Sequence, residues 1–379
     1  MVVAKAGVIL ILDNYKIIIA GGGTGGHLFP AIAIGEELKE RIPQAQIHFI
    51  GSVFGLEAKV FPVKDLLHTL LPIRGLQRGF SFDSLIKNLI LPFRIISSLL
   101  KIRTLFKDFK PELVIGTGGY ASALPLLMST IQKTPIPIIL QEQNSFPGIT
   151  TRWFANKASL ICVAFKIYDK SLNHKVVLTG NPIRNNIVLG EKSLALKEYN
   201  LDEQKKTVFV FGGSQGSAFL NKSMEKIINR FNGISVQVLW QTGDKEYNNY
   251  KKYMSGSIKV TPFINDMASA YTLSDLVVCR SGALTLSEVT ACGKPSILIP
   301  YAAAAGNHQL KNAKTLYHTG ASILIEEKNL NSDSLFKKIN HLVNNKVKLD
   351  EMSSISKTLG KPNATKKIVD HIMEISSNV

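Results

Sequence analysis

Short apolar runs alternate along most of this chain with longer stretches whose apolar residues recur at helical spacing. Such runs are typical of buried parallel strands, and the stretches between them are typical of helices that cover a sheet. The pattern therefore predicts repeated strand–helix units and an α/β fold with parallel sheets. The strands expected in the first half are Lys16–Ala20, Ile47–Gly51, Leu113–Gly116, Pro137–Gln141 and Leu160–Ala164.

The same pattern starts again in the second half, as expected for a chain of 379 residues with two domains. Between the two sets, Thr179–Arg184 is rich in turn-forming residues and Glu191–Lys206 is polar, which predicts a boundary between residues 1–182 and 183–360. A last amphipathic helix is expected near Ala364–Ser376. The strands expected in the second half are Thr207–Phe211, Val236–Trp240, Ile258–Thr261, Leu276–Cys279, Ser296–Ile299 and Ala321–Ile325.

Glycine-rich turns follow three of these strands, at Gly21–Gly26, Gly116–Tyr120 and Gly212–Ser217. Glycine lets the backbone approach a ligand closely, and the N–H groups of a following helix attract an anion. Ligands of open α/β sheets bind beyond the carboxyl ends of the strands, so the three turns predict a phosphate-bearing ligand in a cleft between the domains. For any single turn, a tight strand–helix connection is the alternative.

The first turn also fits the spacing of a dinucleotide-binding motif, with Gly21, Gly23 and Gly26 in the G-x-G-x-x-G positions. That motif requires an acidic residue near the end of the second strand, where it binds ribose. The second strand has none, and the first carboxylate after it is Glu57. The sequence therefore disfavours a nicotinamide cofactor.

Two side chains are candidates for specific chemistry. Glu288, in the segment Arg280–Glu288, is suited to accept two hydrogen bonds from a vicinal diol such as ribose, and Thr285 with nearby N–H groups suits a diphosphate. Helix capping is the alternative for Glu288. His27 is a candidate general base because imidazole titrates near neutral pH, and a structural hydrogen bond or an anion contact is its alternative.

Three other polar residues stand at strand ends or helix starts: Asn144, Arg184 and Gln309. Each either binds sugar hydroxyls or phosphate or is an ordinary loop residue.

No Asp-x-Asp pair and no metal-ligand spacing is present, so neither a metal ion nor a cofactor is expected. A departing nucleoside diphosphate would then be stabilised by helix N-termini and Arg184. The three cysteines lack close spacing, which argues against disulfides and fits the reducing cytoplasm.

The net charge of +17 predicts an anionic partner. Residues 74–110 hold eight basic side chains and two aspartates in an apolar segment, which fits either an element on an anionic membrane surface or a core helix with a solvated basic face. Its charges and Pro92 interrupt the ~18 apolar residues that a membrane span needs.

No nucleic-acid-binding motif is recognisable, and no nucleic acid partner is expected. The apolar run Gly7–Leu12 is too short to span a membrane, and its role stays open.

Several motifs occur in the order found in one enzyme family: Gly21–Pro30, Gly116–Ser122, Gln141–Asn144, Gly180–Arg184, Gly212–Gly216, Arg280–Glu288 and Asn307–Gln309. In these the chain resembles the MurG family, the glycosyltransferases of peptidoglycan synthesis that move N-acetylglucosamine from UDP-N-acetylglucosamine to lipid I, the undecaprenyl-diphospho-muramoylpentapeptide. The resemblance runs from Ile17 to the C-terminal helix. It implies a GT-B fold, with two Rossmann-like domains facing a central cleft and residues 361–379 returning to the N-terminal domain. It also implies an inverting displacement of UDP by the muramyl 4-hydroxyl, which gives lipid II.

Carried over position by position, the resemblance implies donor contacts from Thr24, Gly25, Gly26 and Asn144 in the N-terminal domain. The second domain would contribute Arg184, Ser214, Ile264, Ala283, Leu284, Thr285, Leu286, Ser287, Glu288 and Gln309. Glu288 would bind the ribose and the backbone of Ile264 the uracil. The acceptor diphosphate would face Gly116, Thr117, Gly118, Gly119 and Tyr120. His308 departs from the family, because some members have a second glutamine there.

A polyprenyl-linked acceptor also favours residues 74–110 as a contact with the cytoplasmic face of the membrane. Two other functions remain open from the sequence. One is a different UDP-sugar enzyme of two domains, such as a diacylglycerol glycosyltransferase or a sugar epimerase. The other is a basic nucleic-acid-binding or membrane-binding protein that binds nucleotides without turnover.

Overall fold

The structure is a computed structural model that describes residues 15–75, 82–166, 172, 175–184 and 186–376. Gly7–Leu12 and Arg78 lie outside these residues, so the expectations about them stay predictions. The chain divides into two compact units. Unit 1 contains the described residues up to Ile183 and those from Asn363 onward, and unit 2 is Arg184–Pro362. The division lies one residue C-terminal to the boundary expected from the sequence.

Unit 1 is built on a seven-stranded sheet with the strand order β3-β2-β1-β4-β5-β6-β7, and each neighbouring pair is parallel. Ile17, Ile18 and Ile19 of β1, an interior strand, are almost fully buried, as expected for a strand covered on both faces. The strands are β1 (Lys16–Gly21), β2 (Gln46–Ser52), β3 (His68–Leu71), β4 (Leu113–Gly118), β5 (Ile138–Glu142), β6 (Leu160–Val163) and β7 (Val176–Leu178). The helices between them are α1 (Gly25–Arg41), α2 (Glu57–Val63), α3 (Phe82–Leu89), α4 (Leu91–Phe109), α5 (Tyr120–Thr130) and α6 (Ile149–Phe154).

Unit 2 has a six-stranded parallel sheet in the order β10-β9-β8-β11-β12-β13. Its core contains the fully buried Trp240, whose Nε1 donates to Asn221 Oδ1 at 3.0 Å. The strands are β8 (Lys206–Phe211), β9 (Val236–Gln241), β10 (Ile258–Thr261), β11 (Leu276–Cys279), β12 (Ser296–Leu298) and β13 (Ser322–Leu324). The helices are α7 (Lys192–Tyr199), α8 (Ala218–Glu225), α9 (Tyr247–Tyr250), α10 (Met267–Leu273), α11 (Ala283–Ala291), α12 (His308–Tyr317), α13 (Ser332–Val343) and α14 (Lys346–Leu359).

All strands expected from the sequence are present, with ends shifted by at most two residues. Two strands were not expected, β3 and β7. Both are edge strands of three or four residues, and most of their side chains are only partly buried. Such short, half-exposed strands carry too few apolar positions for a periodicity to be recognised.

The chain ends in helix α15 (Ala364–Ser376), which packs on α1 within unit 1. Ile368, Val369 and Ile372 of α15 are buried in the same apolar cluster as Leu38 of α1. Arg41 and Asp370 form an ion pair between the two helices. The last helix is therefore part of the core of unit 1, although unit 2 separates it from that unit in the sequence.

Replacing Ile368 by alanine should lower the free energy of unfolding of unit 1 by about 2–5 kcal/mol, because it leaves a cavity in this cluster. Lys367→Ala on the exposed side of the same helix is the control and should change it by no more than about 0.5 kcal/mol. Chemical denaturation followed by circular dichroism measures both. Equal, small effects would show that α15 does not stabilise unit 1.

Candidate active site

The first two glycine turns meet in unit 1. The carbonyl oxygen of Gly22 lies so close to Gly119 that a Cβ at Gly119 would be only 2.1 Å from it, and Gly119 has φ +77°. A Cβ at Gly23 would likewise lie 2.6 Å from the ring of Tyr120. Only glycine allows this approach at position 119. The ends of β1 and β4 therefore form one continuous site rather than two separate turns.

His27 lies in the first turn of α1 and is half-buried. Its Nδ1 is 3.0 Å from the carbonyl oxygen of Thr117 and 2.7 Å from Gln143 Oε1. The amide nitrogen of Gln143 donates to Thr117 O at 2.7 Å, which turns Oε1 toward the ring. Both atoms facing Nδ1 are acceptors, so Nδ1 carries the hydrogen and Nε2 keeps its lone pair. Nε2 is thus the atom that is able to take up a proton.

The segment after β5 is held by a buried carboxylate, Glu142. Its Oε1 accepts from the backbone N–H of Asn144 at 3.0 Å. Its Oε2 accepts from the N–H of Gly148 at 2.8 Å and from the hydroxyl of Thr151 at 2.6 Å. Glu142 therefore fixes the loop that carries Asn144, a predicted donor contact.

Glu57 is a residue of this site to which the sequence analysis assigned no role. It is fully buried, and its Oε1 accepts from the N–H groups of Gly23 at 2.9 Å and Ser52 at 2.8 Å. A Cβ at Gly22 or Gly55 would lie 2.2 or 2.3 Å from this carboxylate. Glu57 therefore holds the first glycine turn in its conformation. In the sequence, the glycines at positions 22 and 55 were the signal that could have pointed to Glu57, because they leave room for its carboxylate.

The third glycine turn lies in unit 2, between β8 and α8. Gly216 has φ +74°, and a Cβ there would lie 2.1 Å from the carbonyl oxygen of Thr242. Ser217 begins α8 as its N-cap, with Oγ accepting from the N–H of Leu220 at 3.3 Å. Ser214 is exposed at the tip of the turn. Its hydroxyl and the start of α8 are thus accessible to an anion.

Arg280 is a second residue without an assigned role in the sequence analysis. It is 6% exposed, and its Nε and Nη2 donate to Ser217 Oγ at 3.1 and 2.8 Å. Its Nη1 donates to the carbonyl oxygens of Ile299 and Pro300 at 3.0 and 3.2 Å, and it pairs with Glu327. Arg280 therefore ties the start of α8 to the segment that follows β12.

Glu288 lies in the second turn of α11, where it does not cap the helix. Tyr271 Oη donates to its Oε2 at 3.1 Å, and Arg184 Nε is 3.4 Å from its Oε1. Burial raises the pKa of this carboxyl group, and Arg184 and the hydrogen bond from Tyr271 lower it. The carboxylate is thus buried and oriented by two donors beside the start of α11.

Hydrogen bonds to side-chain amide oxygens hold the backbone of Ile264 and the side chain of Gln309 in position. The N–H of Ile264 donates to Gln241 Oε1 at 3.0 Å, so this N–H group is already engaged within unit 2. Gln309 Oε1 accepts from the N–H of Tyr301 at 3.0 Å, which leaves its NH₂ group as a donor. The hydroxyl of Ser281 binds the carbonyl oxygen of Gln309 at 2.8 Å and joins its helix to the loop before α11.

Four of the predicted contact residues have little exposed side chain, and their predicted contacts stay predictions. Gly116 and Thr117 lie within β4 and are buried, and the Thr117 hydroxyl donates to His27 O at 2.8 Å, so these two support the turn from below. Leu286 is 1% exposed, and Ser287 Oγ donates to Ala283 O at 3.0 Å within the helix. Their side chains are therefore occupied by the fold. Ala283, Leu284 and Thr285 do form the first turn of α11, as expected.

Within the described part of the chain, no group of three or more histidine, cysteine or acidic side chains is arranged to hold a metal ion. The polar atoms described above are hydrogen-bond donors and acceptors that suit sugar, ribose and phosphate groups. Helix starts and N–H groups supply the partial positive charge.

Comparison with known proteins assigns this arrangement to a family. A model of the glycosyltransferase family 28 N-terminal domain matches residues 17–163, and one of the glycosyltransferase family 28 C-terminal domain matches residues 207–368. The chain belongs to glycosyltransferase family 28. The predictions of a glycosyltransferase and of two Rossmann-like units with a GT-B fold are confirmed.

Similar proteins match nearly the whole chain. A protein of Finegoldia magna is 41% identical over 370 residues, which are 95% of this chain and 98% of that protein. One of Christiangramia forsetii is 38% identical over 369 residues, 97% and 99% of the two chains. Both are named UDP-N-acetylglucosamine--N-acetylmuramyl-(pentapeptide) pyrophosphoryl-undecaprenol N-acetylglucosamine transferase. The resemblance to the MurG family is confirmed.

The fold is shared with solved structures. The crystal structure of MurG from Acinetobacter baumannii matches with a TM-score of 0.74 and 24% identity, over 96% of this chain and all of that one. At this identity the likeness concerns the fold. It agrees with the two parallel sheets described above.

Proposed function

We propose that this family 28 enzyme transfers N-acetylglucosamine from UDP-N-acetylglucosamine to the 4-hydroxyl of the muramyl sugar of lipid I, with inversion, to give lipid II and UDP. The observation that carries the proposal is the similarity, over nearly the full length, to enzymes named for this transfer. The chemistry that each unit offers supports it. Unit 1 offers a histidine with a free lone pair, and unit 2 offers a buried carboxylate beside a helix start.

The donor is proposed to bind mainly to unit 2. The Glu288 carboxylate accepts hydrogen bonds from the two ribose hydroxyls, and the carbonyl oxygen of Ile264 faces the uracil. The diphosphate lies at the first turn of α11 and at Ser214, where the starts of α11 and α8 supply partial positive charge. The NH₂ group of Gln309 donates to a sugar hydroxyl. Thr24, Gly25, Gly26, Asn144 and Arg184 are the further donor contacts that the family resemblance implies.

The acceptor is proposed to bind to unit 1, at Gly118, Gly119 and Tyr120. In the reaction, the muramyl hydroxyl oxygen attacks the anomeric carbon, and the bond from that carbon to the diphosphate oxygen breaks. UDP leaves with the electron pair, and the hydroxyl proton passes to Nε2 of His27. Helix N-termini and N–H groups stabilise the charge that develops on the diphosphate.

The decisive test is acceptor specificity. Purified protein with UDP-N-acetylglucosamine should release UDP when lipid I is added, and the product should be the inverted, β-linked disaccharide. Release with diacylglycerol instead of lipid I would identify a glycolipid synthase. Epimerised UDP-sugar without any acceptor would identify an epimerase.

A membrane contact is proposed for α3 and α4. Their side chains Leu85, Leu89, Phe93, Ile96 and Leu100 are 57–74% exposed. A core helix with a solvated basic face would bury such residues, so their exposure supports the interfacial alternative. Within the described residues no helix is long and apolar enough to cross a membrane. We propose that this face rests on the anionic cytoplasmic surface of the cell membrane, where the acceptor is anchored.

Charge reversal tests this contact. Lys101→Glu combined with Arg103→Glu, both exposed on α4, should weaken binding to phosphatidylglycerol vesicles by at least ~30-fold, since each cation contributes about 1 kcal/mol. Sedimentation with the vesicles measures the bound fraction. The matched control is Lys366→Glu with Lys367→Glu on α15, which makes the same charge change elsewhere in unit 1. Equal losses in both variants, or none, would contradict the proposed contact.

A further inference from the structure

Two arginines of unit 1 converge on one aromatic ring. The guanidinium carbon of Arg74 is 3.7 Å from the centroid of the Phe54 ring, and that of Arg94 is 4.8 Å from it. Phe54 lies between β2 and α2, Arg74 follows β3, and Arg94 is on α4. Three separate segments are thus folded together around this ring. Both arginines are half-buried.

Among the side chains that the structure describes, no anion lies beside these two positive charges. Among the residues whose side chains are described, no carboxylate lies within ion-pair distance of Arg74 or Arg94. Arg74 Nε and Arg94 Nη1 are buried without any hydrogen-bond acceptor. A buried charged donor without an acceptor is costly, and two like charges repel each other. Attraction to one ring does not neutralise two cations, so no described side chain compensates the charge of this pair.

The arginine pair lies between the proposed membrane face and the second glycine turn. Phe93, next to Arg94, is 74% exposed and belongs to that apolar face. On the other side, Gly75 adjoins Tyr120, since a Cβ at Gly75 would lie 3.1 Å from the tyrosine ring. Burial and the charge of Glu57 raise the pKa of Tyr120, whereas a hydrogen bond with Ser52 and the charge of Arg74 lower it. Arg74 therefore lies within electrostatic reach of that turn.

We propose that Arg74 and Arg94, stacked on Phe54, bind the diphosphate of the lipid-linked acceptor. The inference rests on the proposed function and adds a binding site to it. In such an acceptor the diphosphate directly follows an apolar chain. In the same order, the arginine pair and the adjoining glycine turn, which is expected to face this diphosphate, follow the apolar face. A planar guanidinium binds phosphate oxygens in pairs, and stacking on the ring fixes its plane beforehand.

Kinetics with a water-soluble acceptor test the site without any membrane. Arg74→Gln and Arg94→Gln should each raise KM for a lipid I analogue with a shortened prenyl chain by about 10- to 100-fold, because each removes a charge-assisted hydrogen bond. KM for UDP-N-acetylglucosamine should stay within about twofold. Inorganic diphosphate should compete with this acceptor in the wild type, and its inhibition constant should rise in both variants.

The matched control is Arg230→Gln in unit 2. Arg230 is also stacked on a phenylalanine, 3.8 Å from the Phe336 ring, but its Nη1 is 2.8 Å from Asp333. This variant should leave both KM values unchanged. An acceptor KM that is unaltered in Arg74→Gln and Arg94→Gln would overturn the inference. Equal increases in the donor and acceptor KM values would also overturn it, because they would indicate a structural role.

A loss confined to anionic vesicles would assign the arginines to phospholipid headgroups and would overturn the inference as well. If an Arg→Gln variant fails to fold, Phe54→Leu takes its place in the test. Phe54 is partly exposed, and its replacement leaves both arginine charges in place. Loss of the aromatic ring that orients the two guanidinium groups should raise the acceptor KM severalfold. A wild-type enzyme that transfers nothing to lipid I would instead refute the proposed function, so the two failures are distinguishable.

Discussion

Replacing His27 by alanine should lower kcat by about 10²- to 10⁴-fold, the usual contribution of a general base. KM for UDP-N-acetylglucosamine should change little, because Nε2 is proposed to meet the acceptor hydroxyl and not the nucleotide. Nδ1 of His27 faces two acceptors, Thr117 O and Gln143 Oε1, so it carries the hydrogen and Nε2 keeps the lone pair that accepts a proton. Steady-state UDP release with lipid I measures the effect.

A second substitution separates catalysis from support of the glycine turn. Asparagine at position 27 retains an N–H donor for the Thr117 carbonyl oxygen but provides no base, so His27→Asn should be as slow as His27→Ala. Wild-type turnover in His27→Asn would reduce His27 to a structural hydrogen bond. His318→Ala, at an exposed position of unit 2, is the control for loss of an imidazole and should retain full activity.

Replacing Glu288 by alanine should raise the dissociation constant of UDP-N-acetylglucosamine by at least ~100-fold. Two hydrogen bonds from the ribose to a charged acceptor are lost, and each contributes about 1.5–3 kcal/mol. Glu288→Gln keeps one acceptor oxygen and should lie between the wild type and the alanine variant. Calorimetric titration of the donor measures all three. Unchanged donor affinity in Glu288→Ala would remove this residue from the donor site.

The same carboxyl group makes donor binding dependent on pH. Burial raises the pKa of Glu288 above the ordinary 4.5, with Arg184 and Tyr271 opposing the shift. A protonated carboxyl group loses acceptor capacity, so donor affinity should be full above this raised pKa and fall as the pH drops through it. In Glu288→Gln, donor affinity should no longer change with pH in the range from the raised pKa down to pH 4.5. A wild-type affinity that falls only below that pH would contradict the raised pKa.

The free energy of unfolding depends on pH in the opposite direction to donor affinity. The native state binds the proton of Glu288 more tightly than the unfolded chain does, so the ionised group lowers the free energy of unfolding above its native pKa. This cost should disappear as the pH falls through the raised pKa toward 4.5. Acid therefore weakens donor binding while it relieves the buried charge.

The sequence predicted the parallel sheets well because buried strands impose a local pattern. Near-continuous apolar runs such as Ile17–Ala20 identify central strands, whereas the short edge strands β3 and β7 lack that signal. The apolar and basic character of residues 74–110 was visible in the sequence. Which of their apolar side chains are exposed was not, because that depends on which side of α4 packs on unit 1.

The roles of single polar residues were harder to predict. Glu57 and Arg280 looked like ordinary charged residues in the sequence, and the structure makes them supports of two glycine turns. The Thr117 side chain is buried beneath the turn, which the sequence did not reveal. Whether a polar side chain faces a ligand or the backbone depends on neighbours that are distant along the chain.

By itself the sequence determined the α/β architecture and the glycine turns, because periodicity and turn chemistry are properties of neighbouring residues. Only the tertiary structure decided which nitrogen of His27 keeps its lone pair, that Glu288 is buried beside Arg184, and that Arg74 and Arg94 share one ring. These contacts join residues that are tens of positions apart. Hydrogen bonding and charge pairing act over a few ångströms in space, and a linear pattern carries no record of that distance.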